Sequence, residues 1–553
     1  MKTMKRLLAV LAALAILAPM TVAFAAEDGY SSTYTYNYDY WGELRESPDA
    51  YRVTDVIYSS SLALDKAMRS PKSLFVRDQD LYIVDTGNNR ILHLTRTGAS
   101  FDLVRVIDQV TVGADKLQEF MAASDLMKNE DGSYLTDEDG SYYLKPPVGS
   151  SAEKGPLALT SENVTYFNNP NDVSVDPEGK IYVADRDNNR VIVMNKDLEF
   201  VQLFTKPSDS TFDQNQSFLP NKLVVDTSGR VFVLANNINK GLVKFEADGT
   251  FTGFIGANPV TYNLWDYIWK TYFMTKEQRS QQAAFVPTEY QNIYIDNDGF
   301  IYATNTSFSE YDLLWDNAKP IRLLNAVGQD ILVKNDRYPP IGDLEWVEQS
   351  SDHGPSKLYD ITVLDNDVYV VIDQTRGRVF GYDPQGIMLW AFGTSGVNAE
   401  GVFSRANSIE HMGTDLLVLD ELDCSVTVFS PTEYGNLIFL ASEQYLRGDY
   451  DGSADTWEKV LQHNANYNLA FIGIGRSKMR AEEYEEAMAL FKMAHDRDNY
   501  GQAFRYYRKI WVEKNILWVV LIIVVLVVFS FVRKTIRKVK WEVAAYEHNK
   551  VAK

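Results

Sequence analysis

The chain alternates short apolar runs with polar turns. In residues 168–204, four runs carry apolar residues at every second position, and turns rich in Asp, Asn and Gly separate them at 176–179, 187–189 and 195–197. Period-two spacing bounded by such turns predicts an antiparallel sheet of four strands. An isolated sheet of this size cannot bury both of its faces, so it needs similar sheets beside it.

This pattern recurs along the chain. The other units are residues 70–107, 219–256, 287 to about 332, 355–393 and 405 to about 440. Repeated four-stranded sheets with turns at fixed offsets predict a mainly β fold, a six-bladed β-propeller. The fourth and sixth units keep only remnants of the pattern, which leaves five and seven blades as alternatives.

Two units carry a specific motif. Residues Pro170–Val193 contain Pro-Asn-Asp, then Val-Asp-Pro-Glu-Gly-Lys-Ile-Tyr-Val-Ala-Asp, then Asn-Asn-Arg-Val, and Pro71–Leu94 follows the same frame. The motif resembles the NHL repeat, more weakly at Pro220–Phe245 and Pro355–Tyr382. The resemblance implies an NHL-type propeller.

An aspartate stands five residues before an arginine in three units, as the pairs Asp85–Arg90, Asp185–Arg190 and Asp373–Arg378. A catalytic site needs one set of groups, whereas these pairs recur from unit to unit. We therefore expect each pair to form a carboxylate–guanidinium contact across a hairpin, which fixes the strand register.

A helical segment follows the propeller. Residues 436–499 repeat at 34 residues, so that Ala441 matches Gly475, Tyr450 matches Tyr484 and Trp457 matches Phe491. This period resembles that of tetratricopeptide repeats and implies a pair of helical hairpins within 436–513, with a third helix from about 501 to 513. Two repeats are few for an independent superhelix, so we expect docking on the propeller or on a partner; a stalk without a binding role is the alternative.

Both ends of the chain carry membrane-related signals. Residues 1–25 combine a basic start, a short apolar run and Ala-Phe-Ala, which predicts a secretory signal peptide, with a membrane anchor as the alternative. Residues 516–532 lack charge and predict a transmembrane helix, and the basic cluster Arg533–Lys540 follows. The resulting single-pass topology places the propeller outside and the tail, 533–553, in the cytoplasm. We interpret the tail as a stop-transfer signal, with contact to anionic lipid or a transporter subunit as the alternative.

Composition narrows the partners. The 553 residues allow two or three domains and carry a net charge of −21 although both ends are basic. A body this acidic repels nucleic acid, which argues against DNA or RNA as a partner. Cys424 is the sole cysteine, so no intramolecular disulfide can form and the exported domain relies on its core.

These signals divide the chain into a signal peptide (1–25), a Tyr-rich leader (26–58), the propeller (59–435), helical repeats (436–513), the transmembrane helix (516–532) and the tail (533–553). The leader is interpreted as aromatic side chains packed on the propeller flank, or as a sugar-binding strip. Within it, Arg52–Ile57 has the pattern of an extra strand that helps to close the ring.

Three insertions, at about 109–167, 258–284 and 308–348, interrupt the propeller. The first contains Glu-Asp-Gly-Ser-Tyr twice, and because the spacing of a calcium loop is missing we predict two hairpin turns. The second predicts a helix with an aromatic stripe, which packs on the propeller or docks to a partner or the membrane surface. The third has no assignment.

The candidate site lies where a propeller gathers the first residues of its innermost strands around the central channel. Aligning the units places one polar residue per blade there: Ser73, Asp172, Lys222, Asn292, Asp360 and Ser408. One step earlier stand Lys72, Asn171, Asn221, Gln291, Tyr359 and Asn407. From these we select a ligand-binding set at the channel mouth: Asn171, Asp172, Asn221, Lys222, Asn292, Tyr359, Asp360 and Asn407. We assign no catalytic residue, because the sequence contains no nucleophile elbow, no His-Glu-x-x-His and no metal-spaced His pair.

Carboxylates and amides converging on one axis suit calcium, as in six-bladed propeller enzymes of the gluconolactonase type, which this region distantly resembles. Lys222 would oppose a cation, and the acidic residue that those enzymes carry near their first blade is not identifiable here. We therefore predict no cofactor, with calcium as the alternative. Mutual pairing of these groups, or contact with water, is the competing interpretation.

The overall layout resembles that of NHL-repeat proteins associated with bacterial carbohydrate-uptake systems. The resemblance implies a membrane-anchored, extracytoplasmic binding or scaffold protein that holds glycans, a solute-binding protein or transporter subunits. A calcium-dependent hydrolase or lactonase is one alternative, and an envelope structural or sensing protein is another. The repeats specify the fold and leave the ligand open.

Overall fold

A computed structural model describes residues 35–39, 41–146, 150–236, 238, 240–256, 290–308, 312–313, 318–334, 339–343, 355–397 and 399–551. The signal peptide and the second insertion, two of the sequence predictions, lie outside these residues.

The strands form one sheet per blade around a central axis. Before the first blade come β1 (Tyr36–Tyr38), β2 (Leu44–Glu46) and β3 (Tyr51–Tyr58). Blade 1 comprises β4 (Ser73–Arg77), β5 (Asp80–Asp85), β6 (Arg90–Thr97) and β7 (Ser100–Ile107). The first insertion adds β8 (Gln109–Thr111), helix α1 (Leu117–Ala123), β9 (Tyr142–Tyr143), β10 (Leu157–Leu159) and β11 (Val164–Tyr166).

Blade 2 comprises β12 (Pro170–Val175), β13 (Ile181–Asp185), β14 (Arg190–Met194) and β15 (Phe200–Phe204). Blade 3 comprises β16 (Leu219–Val225), β17 (Val231–Asn236), β18 (Leu242–Phe245) and β19 (Phe251–Ile255). Blade 4 contains β20 (Asn292–Ile295), β21 (Ile301–Thr304) and β22 (Ile321–Leu324). The third strand of blade 4 therefore comes from the third insertion.

Blade 5 comprises β23 (Leu358–Val363), β24 (Tyr369–Asp373), β25 (Arg378–Tyr382) and β26 (Met388–Phe392). A short parallel pair, β27 (Thr394–Ser395) and β28 (Val402–Phe403), leads to blade 6. Blade 6 contains β29 (Ala406–Met412), β30 (Asp415–Asp420) and β31 (Ser425–Pro431). The chain thus forms the six-bladed propeller that its repeats predict.

The leader closes the ring. Strand β3 pairs antiparallel with β31 and becomes the outer strand of blade 6, which confirms the extra strand expected at Arg52–Ile57. Strand β1 pairs with β26 and extends blade 5. The ring of Tyr36 is buried, and its hydroxyl donates a hydrogen bond to Asp343 Oδ1 at 2.6 Å. The described part of the leader therefore packs Tyr36 and Tyr51 on the propeller, as the first of the two interpretations expects, whereas Trp41 and Tyr58 are exposed.

The turns follow the Asp and Gly positions in the sequence. In blade 2, the Asp176 side chain accepts the Lys180 N–H at 2.8 Å, and Gly179 adopts a left-handed φ of 82°, which favours glycine. In the first insertion, Gly132 and Gly140 adopt left-handed φ values in two successive hairpin turns. Those two turns were predicted.

The hydrophobic core lies between neighbouring blades. Apolar clusters join each blade to the next around the ring, from Val84 of blade 1 with Val183 of blade 2 to Leu419 of blade 6 with Leu81 of blade 1. Each sheet buries both faces in this way, so the residues between the period-two apolar positions, such as Tyr182 and Ala184, are buried as well.

Five helices follow the propeller: α2 (Glu433–Leu446), α3 (Tyr450–His463), α4 (Asn468–Arg480), α5 (Tyr484–Met493) and α6 (Arg497–Val551). Helices α2 and α3 form one antiparallel hairpin, and α4 and α5 form the next. Gly473 of α4 lets the two hairpins approach, because a Cβ at this position would lie 2.3 Å from Nε1 of Trp457. The 34-residue sequence repeat therefore corresponds to a repeated helical hairpin.

The hairpins dock on blades 5 and 6. One apolar cluster contains Trp390 and Phe429 of the propeller together with Ile438 and Trp457 of the hairpins. At its edge the Tyr467 hydroxyl donates a hydrogen bond to the Leu389 carbonyl at 2.7 Å. A shared core of this kind holds the hairpins and the propeller as one packed unit.

Helix α6 begins against α5 and then leaves the folded body. Tyr506 stacks on Tyr484 with ring centroids 5.6 Å apart, and Ala503 is buried against Phe491. Beyond these contacts the helix contains a stretch long and apolar enough to cross a membrane, with Leu517 81% exposed. The short helix expected from about 501 to 513 is thus the first part of this single long helix.

Two of the three Asp–Arg pairs behave as expected. Asp85 and Asp185 each accept a hydrogen bond from the Nε of their arginine, Arg90 and Arg190, at 2.7 Å. The expectation for the third pair, Asp373–Arg378, was wrong in part. Asp373 and Arg378 are paired in register, but the Arg378 guanidinium bonds to Asp343, while Asp373 contacts Arg376 at 3.4 Å. Asp343 belongs to the third insertion, so the sequence period could not reveal it.

Candidate functional site

The candidate site is a ring of polar side chains on the innermost strands, one from each blade. All six residues of this axial ring are buried: Ser73, Asp172, Lys222, Asn292, Asp360 and Ser408. In blades 2, 3, 5 and 6 the register of the inner strand shifts immediately before the ring residue. Such bulges re-aim side chains, and here they separate the ring residue from its neighbour one step earlier.

One half of the ring centres on Asp172. Its Oδ1 accepts a hydrogen bond from the Ser73 hydroxyl at 2.6 Å, and its Oδ2 accepts one from the Leu223 N–H at 2.8 Å. The Lys222 Nζ donates to Ser73 Oγ at 2.8 Å and lies 3.7 Å from Asp172 Oδ1. Three consecutive blades are therefore tied together at the axis.

The other half centres on Asp360. Its Oδ1 accepts a hydrogen bond from Asn292 Nδ2 of the preceding blade, and its Oδ2 accepts one from the Ile409 N–H of the next blade at 2.9 Å. Ser408 Oγ accepts the Leu74 N–H of blade 1 at 3.2 Å and so joins this half of the ring to the first. The ring residues thus bond to one another and to neighbouring backbones.

The ring balances charge in a buried setting. Burial raises the pKa values of Asp172 and Asp360 above the ordinary value of an aspartate, although Lys222 opposes the shift. Burial also disfavours the charged Lys222, but the two carboxylates outweigh it, so the pKa of Lys222 is raised. The neighbouring carboxyl groups therefore favour the charged form of this ammonium.

A cavity of about 360 Å³ extends from the ring to the turns that follow the inner strands. Its wall includes Glu410 and His411, and Thr362 Oγ1 lies 3.3 Å from Glu410 Oε2 and 2.7 Å from His411 Nδ1. Burial, reinforced by Asp360, raises the pKa of Glu410 well above its ordinary value. Burial lowers the pKa of His411. This cavity is large enough to hold a small polar ligand beside Glu410.

Four of the eight residues selected from the sequence line this cavity, namely Asp172, Lys222, Asn292 and Asp360. The other four lie one step earlier and outside its wall. Asn171 Nδ2 donates to Asn221 Oδ1 at 2.7 Å, and Asn407 Nδ2 donates to the Lys72 carbonyl at 2.9 Å. Tyr359 is half-buried beside them. The cavity extends from the ring away from this outer layer, towards the opposite face of the propeller.

Sequence reasoning missed Glu410 and His411. Glu410 stands two residues after Ser408 on β29, and therefore on the same face of the strand. The corresponding positions in blades 1, 3 and 4 are Phe75, Val224 and Tyr294. Blades 2 and 5 place Ser174 and Thr362 there, so Glu410 is the one acid in this register, which was a signal that could have identified it.

The ring does not match a calcium site. Within the described residues, no group of three or more His, Cys, Asp or Glu side chains is arranged to hold a metal ion. The Lys222 ammonium lies 3.7 Å from Asp172 Oδ1, and a divalent cation bound at that carboxylate would face a positive charge at short range.

The comparison with protein families agrees with this architecture. Residues 167–194 match the NHL repeat family, and a search of curated proteins finds no match. Among solved structures, selenomethionine-substituted virginiamycin B lyase from Staphylococcus aureus is 10% identical with a TM-score of 0.36, over 69% of this chain and 99% of that chain. A putative gluconolactonase is 9% identical with a TM-score of 0.34, over 70% of this chain and 94% of that one.

The extracellular domain of a putative hybrid two-component system from B. thetaiotaomicron is 13% identical with a TM-score of 0.30, over 68% of this chain and 42% of that one. Likeness at these values carries no inference about activity or ligand. The chain is a six-bladed β-propeller containing an NHL repeat, followed by helices that include one long apolar helix.

Proposed function

We propose that the protein is a membrane-tethered binding protein, in which the propeller carries the ligand site and the helical hairpins fix the propeller relative to the membrane. The axial cavity is the proposed ligand site, and α6 is the proposed membrane anchor. The propeller and hairpins lie outside the cytoplasm in this proposal, because the basic cluster Arg533–Lys540 follows the apolar stretch.

The observation that carries this proposal is the shared core between propeller and hairpins. Trp390 of blade 5 and Trp457 of α3 belong to one buried cluster, and α6 follows the last hairpin after the turn 494–496 and packs against α5. A flexible tether would need no such packing. A body packed against the base of its anchor suits a protein that must present a binding surface at a fixed height above the bilayer.

The axial ring favours binding over metal-dependent hydrolysis. Lys222 neutralises part of the carboxylate charge that calcium would require, and Asp172 and Asp360 each accept backbone N–H groups. The cavity beyond the ring retains Glu410 and Tyr294 as polar groups in its wall. These groups support a small polar ligand, with glycans as the first class to examine.

A thermal unfolding experiment on the full chain in detergent tests the ligand site. A panel of mono- and oligosaccharides is screened with calcium and with a chelator, and a ligand at a hundred times its dissociation constant adds about 2.7 kcal/mol of stability. We expect a sugar-dependent shift that Glu410→Gln weakens and that Glu178→Gln, on an exposed turn outside the cavity, leaves unchanged. A shift with calcium alone, or none with any sugar, would contradict a glycan site in the channel.

Cysteine labelling of intact cells tests the orientation. In a Cys424→Ser background, Ser100→Cys on the exposed edge of blade 1 should react with a membrane-impermeant maleimide, and Lys540→Cys should react only after the cells are opened. The reverse pattern would refute an external propeller. The narrower proposal, an accessory of a carbohydrate-uptake system, predicts that the full chain co-purifies from membranes with a permease or a solute-binding protein.

A further inference from the structure

A second cavity lies between the first insertion and blade 2. Its volume is about 460 Å³. Its wall is built from the end of α1, the segment 144–146, the turn 188–190, residues 203–206 and parts of the loop 208–218. None of the residues that line the axial cavity contributes to this wall, so the two sites are separate.

Unpaired polar atoms concentrate in this wall. Of the buried side-chain atoms in the described part of the chain that have no hydrogen-bond partner, four belong to residues lining this cavity: Ser124 Oγ, Asn188 Oδ1, Asn189 Oδ1 and Arg190 Nη1. Arg190 is 1% exposed. Buried polar groups are normally paired, so a cluster of unpaired donors and acceptors indicates a missing partner.

Blade 1 shows what pairing of the same positions looks like. There, Arg90 Nη1 donates to Asp65 Oδ1 at 2.6 Å, and Asn89 Oδ1 accepts the Asn169 N–H at 2.8 Å. In blade 2, Arg190 keeps the equivalent bond to Asp185, but its Nη1 and the Oδ1 of Asn189 have no partner. These atoms of blade 2 lack partners at the place where the first insertion covers the blade and the cavity lies.

The charge around this cavity is positive. Lys145, Arg190 and Lys206 line it, and Asp125 is its one lining acid among the described residues. Asp125 already pairs with Lys145, and Asp185 behind the wall pairs with Arg190. Lys206 bonds only to a neutral carbonyl, that of Gln214. A locally cationic pocket on a chain of net charge −21 favours an anion.

We propose that this cavity binds a small carboxylate that also carries hydroxyl groups, such as a sugar acid. Because these four unpaired atoms are buried, their side chains must turn towards the cavity when the ligand binds. The carboxylate would then accept hydrogen bonds from Arg190 Nη1 and the Ser124 hydroxyl, and arginine is well suited to planar carboxylates. The hydroxyl groups of the ligand would donate to the Oδ1 atoms of Asn188 and Asn189. A neutral sugar would satisfy the acceptors but leave Lys206 without an anion.

Calorimetric titration of the full chain in detergent tests this assignment, with D-glucuronate as the probe and D-glucose as the matched control without a carboxylate. We expect saturable binding of glucuronate and at least tenfold weaker binding of glucose. Ser124→Ala and Asn189→Gly each remove an atom that has no partner within the chain, and Asn189 has a left-handed φ of 56° that glycine adopts freely. Each substitution should weaken glucuronate binding about tenfold without lowering the melting temperature.

The matched control is Asn89→Gly, at the equivalent position of blade 1 with a φ of 55° and outside this cavity. Its glucuronate affinity should equal that of the wild type. Absence of saturable binding would show that water alone fills the cavity and would overturn the proposal. Equal affinity for glucose would overturn the carboxylate assignment, and undiminished binding in both blade 2 variants would place the ligand elsewhere. Glu410→Gln separates this site from the axial one, since it should leave glucuronate binding here unchanged.

Discussion

The Nζ of Lys222 lies 3.7 Å from Oδ1 of Asp172, where the inner strands of blades 2 and 3 meet at the propeller axis. Both side chains are less than a tenth exposed. Asp360 and Glu410 add two more carboxyl groups to the same space, and both also raise the pKa of Lys222. A single ammonium therefore balances a cluster of acids, and this balance decides how the ring responds to mutation and to pH.

Replacing Lys222 with methionine should destabilise the propeller at neutral pH. Removing one partner of a buried ion pair costs about 3–5 kcal/mol, because it leaves an uncompensated charge. The raised pKa values of Asp172, Asp360 and Glu410 mean that their protonation favours the folded state. The loss should therefore shrink as the pH falls, in thermal unfolding curves recorded at several pH values.

The control for this variant is Lys72→Met. Lys72 pairs with Glu421 at the partly exposed outer layer, so its loss should cost about 1 kcal/mol or less at any pH. A loss of stability in Lys222→Met that is the same in acid and at neutral pH would show that packing, and not charge balance, explains the role of this lysine.

Asp383 gives the wild-type protein a pH dependence of its own. Burial raises the pKa of Asp383 to about 6, although its carboxylate accepts the N–H groups of Gln385 and Ile387. The unfolded chain binds this proton only near pH 4, so the contribution to stability is full below about pH 4 and is lost as the pH rises through about 6. Asp383→Asn should flatten the curve of unfolding free energy between these values, a change of about 3 kcal/mol at most.

Asp248→Asn is a control with the opposite direction of pKa shift. Asp248 is exposed in a turn, and the Thr250 backbone and hydroxyl hold the pKa of its carboxylate below the ordinary value. Its stabilising effect is present above about pH 4 and fades in acid, so this substitution should alter only the acid end of the curve. If both variants changed the curve in the same window, the assignment of the pH dependence to Asp383 would fail.

The repeat predicted the fold and half of the axial site. Period-two spacing and the aligned blades placed Asp172, Lys222, Asn292 and Asp360 at the axis, because each depends only on local strand register. The bulges that set Asn171, Asn221, Tyr359 and Asn407 apart depend on the partner strand, which the sequence of one strand does not contain. Glu410 was missed because the alignment followed only the first residues of each inner strand.

Long-range contacts account for the rest. Arg378 pairs with Asp343, which lies in a segment with no periodicity, and not with Asp373. Strand β22 of blade 4 lies within the same insertion. The residues of the second cavity meet only when the first insertion folds over blade 2. Two of them, Ser124 and Asn189, are 65 positions apart in the sequence. No local pattern joins such residues.

The strand that closes the ring should carry much of the propeller's stability. Ile57 of β3 is 3% exposed in the core between blades 6 and 1, whereas its neighbour Tyr58 is 45% exposed. Ile57→Ala should cost about 2–5 kcal/mol in urea unfolding of the full chain, and Tyr58→Ala should stay within about 0.5 kcal/mol. Equal effects of the two substitutions would mean that β3 frays from β31 in solution and does not close the ring.

The junction between propeller and hairpins can be tested at a single glycine. Gly435, in the first turn of α2, packs so closely that a Cβ would lie 2.2 Å from the Ala50 carbonyl oxygen. Because that oxygen belongs to the backbone, Gly435→Ala should displace α2 and cost about 1–3 kcal/mol. The matched control is Gly501→Ala in α6, where a Cβ meets nothing within 4 Å and should stabilise the helix by about 0.5–1 kcal/mol.

In Gly435→Ala we expect faster proteolysis between β31 and α2 and a separate unfolding transition of the hairpins at a lower temperature. A single transition at the wild-type temperature would show that the close packing of Gly435 on Ala50 is not needed to hold the hairpins on the propeller, and this prediction would fail.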